Sequence, residues 1–420
     1  MILFQDLAAP DARRALRAAT WGQCFGVQPQ QALSRGIGLL YLYALGLSPA
    51  AILVLLSASV MIRGLLSIPA GFLADRMGKK RVGVAGQGAS IVGFALLTLA
   101  GGVPEGSPRL VLVTVGILLF GTGTALFGAG WIALLSPLLP ADARGRLLGQ
   151  LRFARQLAAV VFGGLIALWM TETTPLVAFQ ALFALLTLCL MVRLFLYRTL
   201  PELEHTGGSA SRLLEAIRSV LSLAGYRRTC MLICGMFFTV GGVPMLFGLL
   251  AIEVLGLGDD AVWWLGVAIL TGHLVGALAG GALIDATGGR RALVLCQLGF
   301  AVSLLLLIAR GLLPAPMGLA VGASIVFGLA KTTLEIATAT ELIRLVPRQD
   351  KALAISTCMS LVYLADSLAG LTIAALLPRL GTVSWSLPGG LDPSPYDLVL
   401  VGLIGLQMLL VALTAIRRGS

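Results

Sequence analysis

Of 420 residues, 58% are apolar and only 12% charged, whereas about a quarter of the residues of a soluble domain are charged. That composition excludes an ordinary soluble protein. The net charge of +11 does not point to nucleic acid, because the basic residues are spread through loops along the chain and not gathered on one face.

Apolar stretches recur at nearly regular intervals, each close to the ~20 residues that cross ~30 Å of hydrocarbon as a helix. They predict twelve spans, at 21–45, 50–74, 82–100, 110–135, 148–170, 176–196, 230–255, 261–284, 292–309, 317–342, 352–377 and 396–416. Most Lys and Arg then fall on the side that holds both termini, and the positive-inside bias makes that side cytoplasmic. The opening segment, 1–19, has no basic run ahead of an apolar core, so no cleaved signal peptide is expected.

In chain order, span one carries Gln23, Gln28, Gln30 and Gln31, with Arg35 ten residues, roughly 15 Å, before its outer end. Span two holds Arg63. The loop after it reads GFLADRMGKKR, residues 71–81, an acid and four bases in one turn. Arg152, Arg155 and Gln156 share a face of span five. After span six comes the long polar segment 197–228, with a short amphipathic helix expected at 211–224.

Span eight contains His273 and the pair Gly276 and Gly280, whose spacing suits close helix contact. In span ten, Lys331 and Glu335 lie one turn apart among Thr332, Thr333, Thr338 and Thr340. They read either as a functional pair or as charges that neutralise each other. Asp366 sits near the centre of span eleven, beside Tyr363 and Ser367. The six cysteines lie in or beside spans without ligand spacing, so they read as packing residues, and neither a metal nor a cofactor is expected.

The loop at 71–81 has a copy. Gly71, Leu73, Asp75, Gly78, Lys80 and Arg81 align with Gly281, Leu283, Asp285, Gly288, Arg290 and Arg291, all 210 positions on. A weaker echo links 139–146 with 346–353. The chain therefore divides into two homologous six-helix bundles, 20–196 and 229–416, joined by the linker 197–228 and flanked by tails 1–19 and 417–420.

The motif at Gly71, Asp75, Arg76, Gly78, Lys79, Lys80 and Arg81, its second copy and the twelve spans together resemble the major facilitator superfamily of secondary transporters. The resemblance covers nearly the whole chain. It implies an all-α membrane protein whose halves are parallel repeats rocking about a central site, with Asp75 helping to latch the cytoplasmic side. The residues suit such a role: Gly71 and Gly78 would allow close approach and a turn, Asp75 would accept from a helix N-terminus, and the four bases would meet anionic headgroups. In the second copy Ala286 replaces the Arg after Asp285, so the latch is expected to be stronger in the first half.

A charge at a helix centre costs about 3 kcal/mol on insertion scales and by default marks function. Arg63 and His273 each precede a motif aspartate by twelve residues, roughly 18 Å, near the midplane. The bases at depth, Arg35, Arg63, Arg152, Arg155 and Lys331, exceed the acids Glu335 and Asp366 by about three charges, which a transported anion would offset. The reading is a proton-coupled transporter of a small organic carboxylate or phosphate compound. Its substrate residues are Arg35, Arg63, Gln31, His273, Lys331 and Arg155, its proton carriers Asp366 and Glu335, and its cytoplasmic gate the first motif with Asp285 and Arg290. Sodium is the other coupling ion considered. Alternatives are an exporter of amphipathic compounds, a lysolipid translocator and, outside transport, a sensor on the same fold. No catalytic motif suggests an enzyme. The expected partners are membrane lipids, the substrate and the coupling ion, for a monomer in a bacterial inner membrane.

Overall fold

A computed structural model of the chain describes residues 10–34, 36–135, 144–202, 222, 224–311, 316–345, 351–381 and 394–415. Arg35, the loop echo at 139–143 and the amphipathic segment up to residue 221 lie outside them, as does the side chain of Asp75.

The described residues form fourteen α-helices and one 3-10 turn (Ala309–Gly311): α1 (Pro10–Ser34), α2 (Ile37–Ala44), α3 (Pro49–Met77), α4 (Lys79–Ala100), α5 (Ser107–Leu135), α6 (Arg144–Ala167), α7 (Leu176–Arg198), α8 (Ala224–Val240), α9 (Val243–Glu253), α10 (Asp259–Thr287), α11 (Gly289–Ile308), α12 (Pro316–Leu345), α13 (Lys351–Gly381) and α14 (Pro395–Ala415). They account for all twelve expected spans, since α1 with α2 makes the first and α8 with α9 the seventh. Ten spans are long and apolar enough to cross a membrane by themselves. The other two, α1 and α6, contain the arginines and glutamines noted above.

Spans one and seven are not the continuous helices expected. Gly36 has φ 121° and Gly242 φ 74°, conformations that side-chain-bearing residues rarely adopt. Val240 and Val243 flank the second break, so hydropathy conceals it, whereas the first follows Ser34 and Arg35. The glycines are 206 positions apart, close to the spacing of the sequence repeat.

The chain forms two compact units. The first comprises Met1–Leu33, Ala58–Phe162 and Pro175–Glu215. Within it α4 lies closely against α5, where a Cβ on Gly86 would strike the Gly123 carbonyl and one on Gly93 the Gly116 carbonyl. Phe94 fills the adjoining core, edge-on to Phe120 at 4.8 Å and stacked on Phe183 at 5.5 Å. Towards the end that carries the basic loop, Leu16, Phe127, Leu134, Leu151, Tyr197 and Leu200 close a second core cluster.

The second unit comprises Ser34–Ser57, Gly163–Thr174 and Ala216–Ser420. The expected Gly276 and Gly280 contact is present: α10 meets α12 so closely that a Cβ on Gly276 would strike the Leu329 carbonyl and one on Gly280 the Thr333 hydroxyl. Phe327 packs against Phe247 and Phe300. The same unit takes in the helix ends of the first half that lie farthest from the basic loop. Trp263 Nε1 donates to the Gly163 carbonyl at 2.8 Å, Tyr43 to Glu253 at 3.0 Å and the Thr174 amide to Asp259 at 2.9 Å. Ser367 donates to the Ser57 carbonyl at 2.7 Å.

Candidate functional site

The first unit gathers three arginines from three helices. On α1, Thr20, Cys24, Gln28 and Gln31 follow a spacing of four, four and three, so they form one polar stripe. Cys24 Sγ reaches the Ala154 carbonyl of α6 at 3.6 Å, and Gln28 donates back to the Cys24 carbonyl at 2.9 Å. The Gln31 Oε1 atom is buried with no hydrogen-bond partner among the described residues.

Arg193 of α7 crosses α1 at Gly26, where a Cβ would overlap its side chain. Its guanidinium lies 3.6 Å over the Phe127 ring, and that ring packs in turn against Trp131 and Tyr197. The Nε atom is buried and has no hydrogen-bond partner among the described residues. Arg155 of α6 and Arg63 of α3 lie within electrostatic reach of Arg193, and Arg155 also acts on Cys24.

Arginine keeps its charge at any working pH. Two unit charges about 8 Å apart repel by roughly 2 kcal/mol at an effective dielectric of about 20. Between Ala12 and Arg198 the sequence contains only Asp75, Glu105, Asp142 and Glu172 as acids. Glu105 is bound to Arg109 at 3.5 Å, Glu172 belongs to the second unit, and Asp75 is twelve residues, roughly 18 Å, along α3 from Arg63.

In the second unit, Asp366 of α13 packs against Gly241 at the break in span seven, where a Cβ would strike both its backbone and its carboxylate. This carboxyl lies at the break between the end of α8, whose carbonyls disfavour negative charge, and the start of α9, whose amides favour it. Lys331 does not pair with Glu335, contrary to the neutralising alternative: its Nζ sits 4.2 Å over the Phe237 ring, and Glu335 is exposed. His273 is buried, and its Nδ1 shares a 2.5 Å hydrogen bond with the Thr332 hydroxyl. Arg152 is exposed.

The two motif loops end in matching contacts. Lys80 Nζ donates to the Leu200 carbonyl beyond α7 at 2.8 Å, and Arg290 Nη2 donates to the Thr414 carbonyl of α14 at 2.7 Å. Each is a base at the carbonyl end of the last helix of its half, where cations are favoured. Gly78 and Gly288 turn the chain with φ 98° and 80°. Glu202 accepts from the Lys80 amide at 3.3 Å, at the start of α4. Glu341 of α12 lies against Gly289, the first residue of α11. Arg76 stacks over Phe72 at 4.5 Å, while Arg81 and Asp285 are exposed.

Two expectations for the loop need correction. Among the described residues nothing comes within 4 Å of where a Gly71 Cβ would stand, so close approach to them does not explain that glycine. Lys79, expected among headgroups, is 8% exposed; its carbonyl accepts from Tyr197 at 3.4 Å and backs onto Gly130.

The sequence reading missed Arg193, Glu202 and Glu341. Arg193 stands five residues before Arg198 and passes for a base at a helix end. A usable signal was the Gly22 and Gly26 pair in span one, whose spacing allows a neighbour to approach closely. That neighbour is α7, where Gly22 faces Leu196 and Gly26 faces Arg193.

Residues 31–272 match the family model of the Major Facilitator Superfamily. The fold is similar to that of a D-xylose-proton symporter, with TM-score 0.74 and 15% identity over 95% of this chain and 97% of that one. It is also similar to a variant of the nucleoside transporter NupG, at 0.71 and 14% over 96% and 98%. The human organic anion transporter MFSD10 aligns at 0.65 and 16% over 97% and 100%. At such identities the likeness establishes the fold alone. No curated protein matches the chain.

Proposed function

The chain belongs to the major facilitator superfamily and is a multi-pass secondary transporter, and from that premise we propose that it moves a small organic anion by proton-coupled alternating access. The observation that carries this reading is the grouping of Arg63, Arg155 and Arg193 in the first unit. A carboxylate or phosphate group would relieve their repulsion and take charge-assisted hydrogen bonds from them. Gln31 supplies a further polar atom on the adjoining α1 stripe. In the second unit, Lys331 is a further base toward the substrate and His273, tied to Thr332, a relay.

Asp366 is the proposed proton carrier. Its place beside the interrupted span seven suits the role, because half-helix ends in transporters lie where substrate and coupling ions bind. Glu335 is the second candidate. The basic loops would face the cytoplasm with both termini, in a bacterial inner membrane.

The test is binding of small organic anions to the purified protein. Arg63→Ala and Arg155→Ala should each abolish it while leaving expression and folding intact. Unchanged affinity in both variants would end the anion reading.

A further inference from the structure

The repeat that relates the two motif loops extends through the helices. Gln297 of α11 stands 210 positions after Gln87 of α4, while Leu410 and Gln407 of α14 stand 214 after Leu196 and Arg193 of α7. In the first half, Gln87 donates to the Leu190 carbonyl of α7 at 3.1 Å, Gly22 of α1 faces Leu196, and Arg193 crosses the next turn of α1 at Gly26. In the second, Gly235 of α8 faces Leu410 in the same way. One turn further along, Gln407 therefore comes level with Thr239. Thr239 in turn stands beside Gln297: its Oγ1 is 3.4 Å from Gln297 Oε1, and its proton goes to the nearer Met236 carbonyl at 2.7 Å.

Three uncharged polar side chains from α8, α11 and α14 thus share one level of the second bundle, and all three are fully buried. Among the described residues, Gln407 has no hydrogen-bond partner for Oε1 or Nε2, and Gln297 has none for Nε2. The bond that Gln87 makes to its neighbouring helix has no counterpart at Gln297 Nε2. Buried amides left unmet are costly and rare. Exchanging the oxygen and nitrogen of either amide only moves the unmet atom.

We propose that Gln297, Gln407 and Thr239 form a binding site for ordered water that bridges α8, α11 and α14. An internal water takes about three hydrogen bonds. Here its oxygen accepts from Gln297 Nε2 and Gln407 Nε2, and one of its protons goes to a lone pair of Thr239 Oγ1; a second water meets Gln407 Oε1. Room for them follows from the repeat, since glutamine, the shorter side chain, takes the place that arginine holds in the first half. Thr239 belongs to the last turn of α8, just ahead of the break at Gly242. Water at this point lets that turn shift against its neighbours with every amide still satisfied, which direct bonds of fixed length would not. None of the three residues belongs to the proposed substrate or proton sites.

The plain alternatives are a dry site, in which the amides stay unmet, and amides that turn to bond each other. Radiolytic footprinting of the purified full-length protein in isotopically labelled water separates them, because X-rays split bound water and the resulting hydroxyl radical attacks the side chain beside it. Met236 is fully buried and lies on the face of α8 that carries Thr239. It should take up the label, the fully buried Leu400 of α14 should not, and Gln297→Leu combined with Gln407→Leu should remove the label from Met236. Melting supplies the second arm. Gln407→Leu should lower the midpoint by about 2–4 °C, because the water loses a partner, whereas in a dry site the same change removes an unmet amide and raises the midpoint. Gln407→Met serves where a leucine variant does not fold.

An unlabelled Met236 in the wild type overturns the proposal, whatever the melting shows, and with a lowered midpoint it indicates amides bonded to each other. Label that persists in the double variant, or a midpoint raised by either Gln407 variant, overturns it equally.

Discussion

Arg193 occupies the space that a side chain at Gly26 would need. The overlapping atoms are the far end of a flexible side chain, so Gly26→Ala can be relieved by swinging the guanidinium off Phe127, at a cost near that of one exposed cation–π contact, about 0.5–1 kcal/mol. Thermal stability should change little, and affinity for a small organic anion should fall by about tenfold. A calorimetric titration beside a melting curve reads both; a large loss of stability with affinity intact would contradict the arrangement described.

Lys80 and Arg290 close equivalent helices in the two halves. Replacing either with Ala should cost about 1 kcal/mol, the scale of a charge-assisted hydrogen bond at a helix C-terminus. Since the two contacts lie in separate units, the double variant should lose the sum to within about 0.5 kcal/mol. Denaturation of the purified single and double variants in detergent provides the numbers.

Asp366 and Gly241 make a stricter pair. A methyl at residue 241 would strike the Asp366 backbone as well as its carboxylate, and backbone cannot step aside. Gly241→Ala should therefore destabilise by about 1–3 kcal/mol. Asp366→Asn keeps the shape and removes the titrating group, so it should retain substrate exchange in proteoliposomes yet lose accumulation driven by a pH gradient. Equal accumulation by variant and wild type would remove Asp366 from the coupling role.

Trp263 ties α10 to the Gly163 carbonyl of the first half. Trp263→Phe removes one hydrogen bond worth about 1 kcal/mol, a factor of about five in the balance between this arrangement and one in which that end is open. A cysteine placed at the buried Ser57 should then react about fivefold faster with a membrane-impermeant thiol reagent. No change in rate would mean that the bond does not help hold that end closed.

The family and the spans were legible because the bilayer imposes length and hydropathy on every crossing helix, and because a turn rich in charge stands out in an apolar chain. The matching roles of Lys80 and Arg290 follow from the same repeat. The breaks at Gly36 and Gly242 were not legible, since both fall inside stretches long enough to read as one span and hydropathy says nothing about φ. Arg193 was hidden by its nearness to Arg198: sequence position gives depth along a helix but not whether a side chain turns outward or inward. Glu202 and Glu341 escaped for a related reason. Their partners, the first turns of α4 and α11, are distant in sequence, and a carboxylate at a helix start becomes visible only when the packing is known.

The break at Gly36 has one further consequence. The border between the two compact units falls between Leu33 and Ser34, two residues before that glycine. The first transmembrane segment is therefore shared property: its opening half belongs to one unit and its closing half to the other. The fold has a crease inside a membrane helix, and the long polar linker is not the only place where the chain passes from one body to the next.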